Sequence, residues 1–194
     1  MNLKLDDIDW ELIVQLQSDG RKTYKELGKK IGFTSLGAEK RVDKLLSNQL
    51  IHISALVNTD ILNLHLALIL LEIENAETMR KIIDRYNKCP RVINIFTTMG
   101  GYNLIALVMA EDQATLESEC VEKCALRSGE GIRRSEIYLI GRLHHYSFLP
   151  LNAQALREKG DTAPCGVECL VCPSFKDEKC VGCPTLSYYR GPLK

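Results

Sequence analysis

Between Leu64 and Tyr146 the apolar residues change period in a fixed order, and that order constrains the fold more than any other feature of the chain. Leu64, Leu66, Leu68 and Leu70 alternate with Ala67, Ile69 and Leu71, a strand with apolar residues on both faces. Met79, Ile82, Ile83 and Tyr86 follow at helical spacing, stopped by Cys89-Pro90. Two strands come next, Val92 to Thr98 and Tyr102 to Ala110, joined at Gly100-Gly101. A second helix is marked by Leu116, Cys120, Val121 and Cys124, and a last strand runs from about Ile132 to Tyr146. The order β-α-β-β-α-β predicts a ferredoxin-like sandwich over 64–147, with two helices on one face of four strands. The doubly apolar first strand predicts that a second copy of the chain covers the other face.

Three short helical patterns precede this unit. The first places Ile8, Leu12, Ile13 and Leu16 on one face, with Asp6 or Asp7 as cap and Asp19-Gly20 as stop. The second opens on a capping box, Thr23 with Glu26, and buries Tyr24, Leu27 and Ile31 before Gly32. The third is capped by Thr34 or Ser35 and buries Ala38, Val42, Leu45 and Leu46, leaving Lys40, Arg41 and Lys44 on the opposite face. Gly32-Phe33-Thr34 between them is the short turn of a helix-turn-helix. Charge follows the same division. The chain has 25 basic and 25 acidic residues, yet residues 1–20 carry net −4 and residues 21–44 net +5. Such a local basic patch suits an anionic partner, nucleic acid included. The fold class is thus α+β: a helix-turn-helix domain over 1–50, a linker strand over 51–63, the sandwich over 64–147, a linker over 148–162, and a cysteine-rich tail over 163–194.

Several motifs in this order resemble the leucine-responsive regulator (Lrp/AsnC) family. They are Leu5-Asp6-Asp7-Ile8-Asp9, Leu16-Gln17-Ser18-Asp19-Gly20-Arg21, Leu27-Gly28-Lys29-Lys30-Ile31-Gly32, Lys40-Arg41-Val42-Asp43-Lys44-Leu45 and Met99-Gly100-Gly101-Tyr102-Asn103-Leu104. The resemblance spans about residues 3–147. It implies a transcription regulator that binds double-stranded DNA, dimerises or assembles further, and takes amino-acid-like effectors on its second domain. The third helix then enters the major groove, with Thr34, Ser35, Gly37, Lys40, Arg41 and Lys44 as the contact set. Leu36, Gly37 and Glu39 depart from the polar reading surface usual in the family. Gly100, Gly101, Tyr102 and Asn103 form the implied effector loop, the glycine N–H groups suiting a carboxylate. Asn103 stands where the family often has Asp, which removes a charged partner for an ammonium group.

The tail adds something that the resemblance does not cover. Cys165, Cys169, Cys172, Cys180 and Cys183 are spaced C-x3-C-x2-C-x7-C-x2-C. Two CxxC pairs supply four thiolates, enough for a closed structural zinc site or for a [4Fe–4S] cluster. Zinc is placed slightly ahead, and Cys165 is a fifth thiol that zinc does not explain. Cys120 and Cys124, four apart on an apolar helix face, are read as core, as is Cys89.

The longest apolar run, Leu64 to Leu71, is broken by His65 and falls far short of the ~20 residues of a membrane span. No secretory signal opens the chain, so a cytoplasmic location with reduced thiols is expected. Two other readings are weighed. One is a siroheme-decarboxylase-like enzyme using Arg133, Arg134, Arg142, His144 and His145 in the last strand; the other is an oligomeric interaction protein without DNA specificity. No nucleophile–base pair or paired carboxylate supports an enzyme, and none is expected.

Overall fold

The computed structural model describes residues 4–124 and 126–193. The first three residues of the predicted helix-turn-helix domain, residue 125 and the last residue of the tail therefore lie outside it. The chain divides into two compact units, residues 1–55 and 56–194.

The first unit is built from α1 (Asp7–Ser18), α2 (Tyr24–Ile31) and α3 (Ser35–Ser47), each begun by its own side-chain cap. Asp6 accepts from the Asp9 N–H at 2.8 Å while Asp9 accepts from the Asp6 N–H, a capping box made with aspartate at both ends. Thr23 and Glu26 make the same exchange at α2. Thr34 Oγ1 accepts from the Gly37 N–H at 3.1 Å, which makes Thr34 and not Ser35 the cap of α3. Leu12, Leu27, Ala38, Val42 and Leu45 interlock as a fully buried core. Leu46, expected inside, is partly exposed.

Gly32 ends α2 in the left-handed region at φ 73°, and the chain folds straight back over the helix. That return brings the carbonyl oxygens of Phe33 and Thr34 within 2.7 and 2.9 Å of where a β-carbon on Gly28 would sit. These are backbone atoms and cannot rotate away. Gly28→Ala is therefore expected to destabilise this unit by about 1–3 kcal/mol, measured by chemical denaturation. A value near zero would mean that the turn is looser than described.

The second unit contains β1 (Val57–Asn58), β2 (His65–Ile73), α4 (Ala76–Tyr86), β3 (Val92–Thr97), β4 (Leu104–Ala110), α5 (Gln113–Val121), β5 (Ile132–Ile140), β6 (Phe148–Leu149), α6 (Ala153–Arg157) and α7 (Pro173–Lys176). Four strands form one antiparallel sheet in the order β3-β4-β2-β5, the predicted β-α-β-β-α-β sandwich. Ala67, Ile69, Leu71 and Ile73 of β2 and Leu104, Ala106 and Val108 of β4 are buried beneath Ile82, Tyr86 and Leu116. The alternate residues Leu68 and Leu70 lie on the other face, where Phe96 and Tyr138 are about half exposed.

Three expectations are corrected. Residues 51–56 are not a strand, and only Val57–Asn58 pairs, with β6. The last strand stops at Ile140, so His144 and His145 lie exposed outside any strand. Helix α5 ends at Val121, so Cys124 is not on the same helix face as Cys120. The Cys120 thiol donates to the Leu116 carbonyl, whereas Cys124 has turned elsewhere.

Candidate functional site

The DNA-contact set predicted on α3 separates into two groups. Lys40 and Lys44 are exposed one turn apart, beside Leu36, Asp43 and Ser47. Thr34 and Ser35 are exposed at the amino end, and Gly37 is partly covered by the Phe33 ring. Free N–H groups and the helix dipole there suit a phosphate.

Arg41 does something else. Its Nη1 reaches Asp9 at 2.8 Å and Asp6 at 2.9 Å, and its guanidinium lies 5.3 Å from the Phe33 ring centre. Asp9 is buried, so Arg41 pairs with a carboxylate that is largely removed from water. The residue ties α3 to the capping box of α1, and its charge is already committed. This corrects its placement on the exposed face with Lys40 and Lys44.

The Asp9 N–H, and then Arg41, hold the Asp6 carboxyl below the usual carboxylate range. The sign follows directly. A carboxyl with a depressed folded pKa contributes stability that is complete above its unfolded value of about 3.9, and that is lost as pH falls through the folded value. The stability gap between the natural chain and Asp6→Asn is thus expected to be widest above about pH 4 and to close on further acidification. A gap independent of pH would sever Asp6 from this role.

The implied effector loop, residues 98–103, joins β3 to β4. Gly100 and Gly101 are exposed, and a β-carbon on either would meet nothing within 4 Å, so backbone N–H groups are open to approach. Asn103 is not open. Its carboxamide accepts from the Ile73 N–H at 2.8 Å and donates to the Ile73 carbonyl at 2.7 Å, clipping the loop to the end of β2. The Tyr102 ring is stacked by Arg134, which pairs with Glu136 at 2.5 Å.

The cysteine-rich tail is folded into the second unit rather than appended to it. Phe175, Leu186 and Tyr189 are almost fully buried. Arg91, with 8% of its side chain exposed, joins Glu111 at 2.5 Å, Glu119 at 2.6 Å and the Gly182 carbonyl at 2.7 Å. The Tyr189 hydroxyl donates to the other oxygen of Glu111, Ser174 donates to Glu122, and Arg85 donates to the Cys165 carbonyl. One guanidinium shared by two buried carboxylates leaves an excess of negative charge. Desolvation accordingly pushes Glu119 up to about 7 despite its ion pair.

Above this network lies a cavity of about 60 Å³. All five tail cysteines line it, and so do Cys89 and Cys124 of the sandwich. Burial pushes the Cys89 thiol up to about 12 and Cys169 to about 11, so these two thiols are protonated at neutral pH. An all-sulfur donor set suits zinc or iron–sulfur centres. Among the described residues, however, no three His, Cys, Asp or Glu side chains are grouped so as to hold a single ion. Reading the sequence missed Cys89 and Cys124, because apolar neighbours gave each an ordinary place in the core. It also missed Arg91, Glu111 and Glu119. The available signal was a charge at the end of each of two apolar runs, Arg91 before β3 and Glu111 after β4.

Comparison with known proteins bears on the frame that carries these sites. Residues 5–46 match the AsnC-type helix-turn-helix domain. The uncharacterized HTH-type transcriptional regulator PYRAB01370 of Pyrococcus abyssi is 26% identical over 148 residues, covering 75% of this chain and 92% of that protein. The HTH-type transcriptional regulator FL11 of Pyrococcus furiosus is 27% identical over 116 residues, 59% of this chain and 76% of that one. Among solved structures, E. coli AsnC superposes with a TM-score of 0.63 at 17% identity, covering 73% of this chain and 95% of that one. The L-Met complex of transcriptional regulator NMB0573 from Neisseria meningitidis gives 0.66 at 21% identity, covering 78% and 99%. These likenesses in structure are likenesses of fold. No helix among the described residues is long and apolar enough to cross a membrane. The chain thus carries an AsnC-type helix-turn-helix domain at its amino end, and over most of its length it is similar to HTH-type transcriptional regulators.

Proposed function

We propose that this chain is a transcriptional regulator of the AsnC/Lrp type that binds double-stranded DNA through the exposed face of α3 as a dimer or larger assembly, and that its second unit carries the signal-receiving chemistry. The observation that supports it best is the pair Lys40 and Lys44, exposed on the outer face of the helix that follows the turn. Lysine contacts to phosphate release counterions, so affinity falls steeply with salt. Leu36, 59% exposed on the same face, suits a thymine methyl group in the groove. The half-exposed Phe96 and Tyr138 on the open sheet face support pairing with a second copy.

Two signals are available to the second unit. The open glycine loop at Gly100-Gly101 suits an amino-acid-like effector held by its carboxylate, and the NMB0573 relative was solved with L-methionine. The tail cysteines Cys165, Cys169, Cys172, Cys180 and Cys183 hold a metal centre, zinc or iron–sulfur. The test is a salt titration of binding to the DNA upstream of the protein's own gene, against a scrambled duplex. Tight, salt-sensitive preference for the upstream fragment is expected. Equal and weak binding to both would leave an oligomeric interaction protein without DNA specificity.

A further inference from the structure

A four-cysteine zinc site places every sulfur about 2.3 Å from one point and leaves no space among them. The cavity in the second unit is built differently. No three of its side chains among the described residues form a group for one ion. About 60 Å³ stays open between the thiols, several times the ~10–15 Å³ that admits a water molecule. Seven cysteines line this space, among them both CxxC pairs of the tail. Its remaining wall includes apolar Ile69, Val92 and Val108 together with Glu119 and Glu122. Arg91 also lines it, and Arg91 Nε is buried with no hydrogen-bond partner among the described residues. An unmet buried donor is costly and is an unusual thing to retain without an acceptor. Sulfur atoms of an iron–sulfur cluster are such acceptors.

Resting on the reading that the tail binds metal, we propose that this cavity takes a [4Fe–4S] cluster rather than a zinc ion, and that the cluster fastens the tail to the sandwich. The pairs Cys169/Cys172 and Cys180/Cys183 supply the four thiolates, while Cys89 and Cys124 close the cavity from the sandwich side. Arg85, Arg91 and Glu122 already bind tail atoms there, so the cluster sits where the two parts meet. Loading can proceed by ligand exchange alone. A preformed cluster carrying small thiolate ligands loses each one as a protein sulfur bonds the same iron, and the cysteine proton leaves on the departing thiol. No electron moves.

The test uses the full chain, stripped of metal and kept anaerobic, given either the preformed thiolate-ligated cluster or zinc. Uptake of four iron and four sulfide per chain is expected, with the colour of a cluster. Cys180→Ser with Cys183→Ser should lose that uptake, and Cys120→Ser, which lies outside the cavity, should keep it. In the loaded natural chain, proteolytic cleavage within residues 150–164 should slow by about tenfold or more, because a ligand bound only to the docked state opposes its opening. One tight zinc and no cluster would leave the metal reading standing and overturn this inference. Uptake of neither would overturn both. A cluster bound with cleavage unchanged would overturn the fastening role.

Discussion

Reversing Lys40 and Lys44 together to glutamate is expected to abolish specific DNA binding at physiological salt while leaving the helix-turn-helix unit folded. Both side chains are exposed, so the fold loses nothing that packs. Two phosphate attractions become two repulsions. The milder pair Lys40→Gln and Lys44→Gln should each lower the slope of log affinity against log salt by about 1. Arg41 is the instructive contrast. A glutamate at that position would face Asp6 and buried Asp9, and even Arg41→Ala leaves Asp9 without its cationic partner, at a cost of about 1–3 kcal/mol. Its loss should therefore register in unfolding before it registers in DNA affinity. The measurement is fluorescence anisotropy across a salt series beside a denaturation curve for each variant. Unchanged affinity in the double reversal would remove α3 from the DNA.

The second large effect is expected at Arg91. Arg91→Ala leaves Glu111 and Glu119 buried with no cation between them, and breaking such a buried ion pair costs about 3–5 kcal/mol. It also deletes the bond to the Gly182 carbonyl, so the tail should undock as the sandwich weakens. Changing all three together, Arg91→Met with Glu111→Gln and Glu119→Gln, should recover most of the stability, because no unpaired charge is then left inside. Thermal unfolding and hydrogen exchange of residues 173–190 provide the readout. A single variant as stable as the natural chain would mean that water reaches this network.

Local chemistry made much of this legible in advance. The cap Thr23, the stop at Gly32 and the alternation along β2 are decided by near neighbours and stand where the residues put them, while the structure selected Asp6 over Asp7 and Thr34 over Ser35. Strand boundaries were less legible. Residues 51–56 have strand-like composition but no partner to pair with, and β5 ends six residues before its apolar pattern does. A strand exists only when a neighbour satisfies its backbone, and no single segment encodes that neighbour.

The same division runs through the sites. The sequence by itself determined three capped helices, a βαββαβ order, a basic third helix and five closely spaced thiols, because spacing and capping act within a few residues. Only the tertiary structure decided that Arg41 is spent on Asp6 and Asp9, and that Asn103 clips the loop to Ile73. It alone brought Cys89 and Cys124 to the tail cysteines over an Arg91–Glu111–Glu119 network. The physical reason is burial. Whether a charge or a thiol is a free ligand or a committed partner depends on what excludes water from it, and those groups come from 30 to 91 residues away.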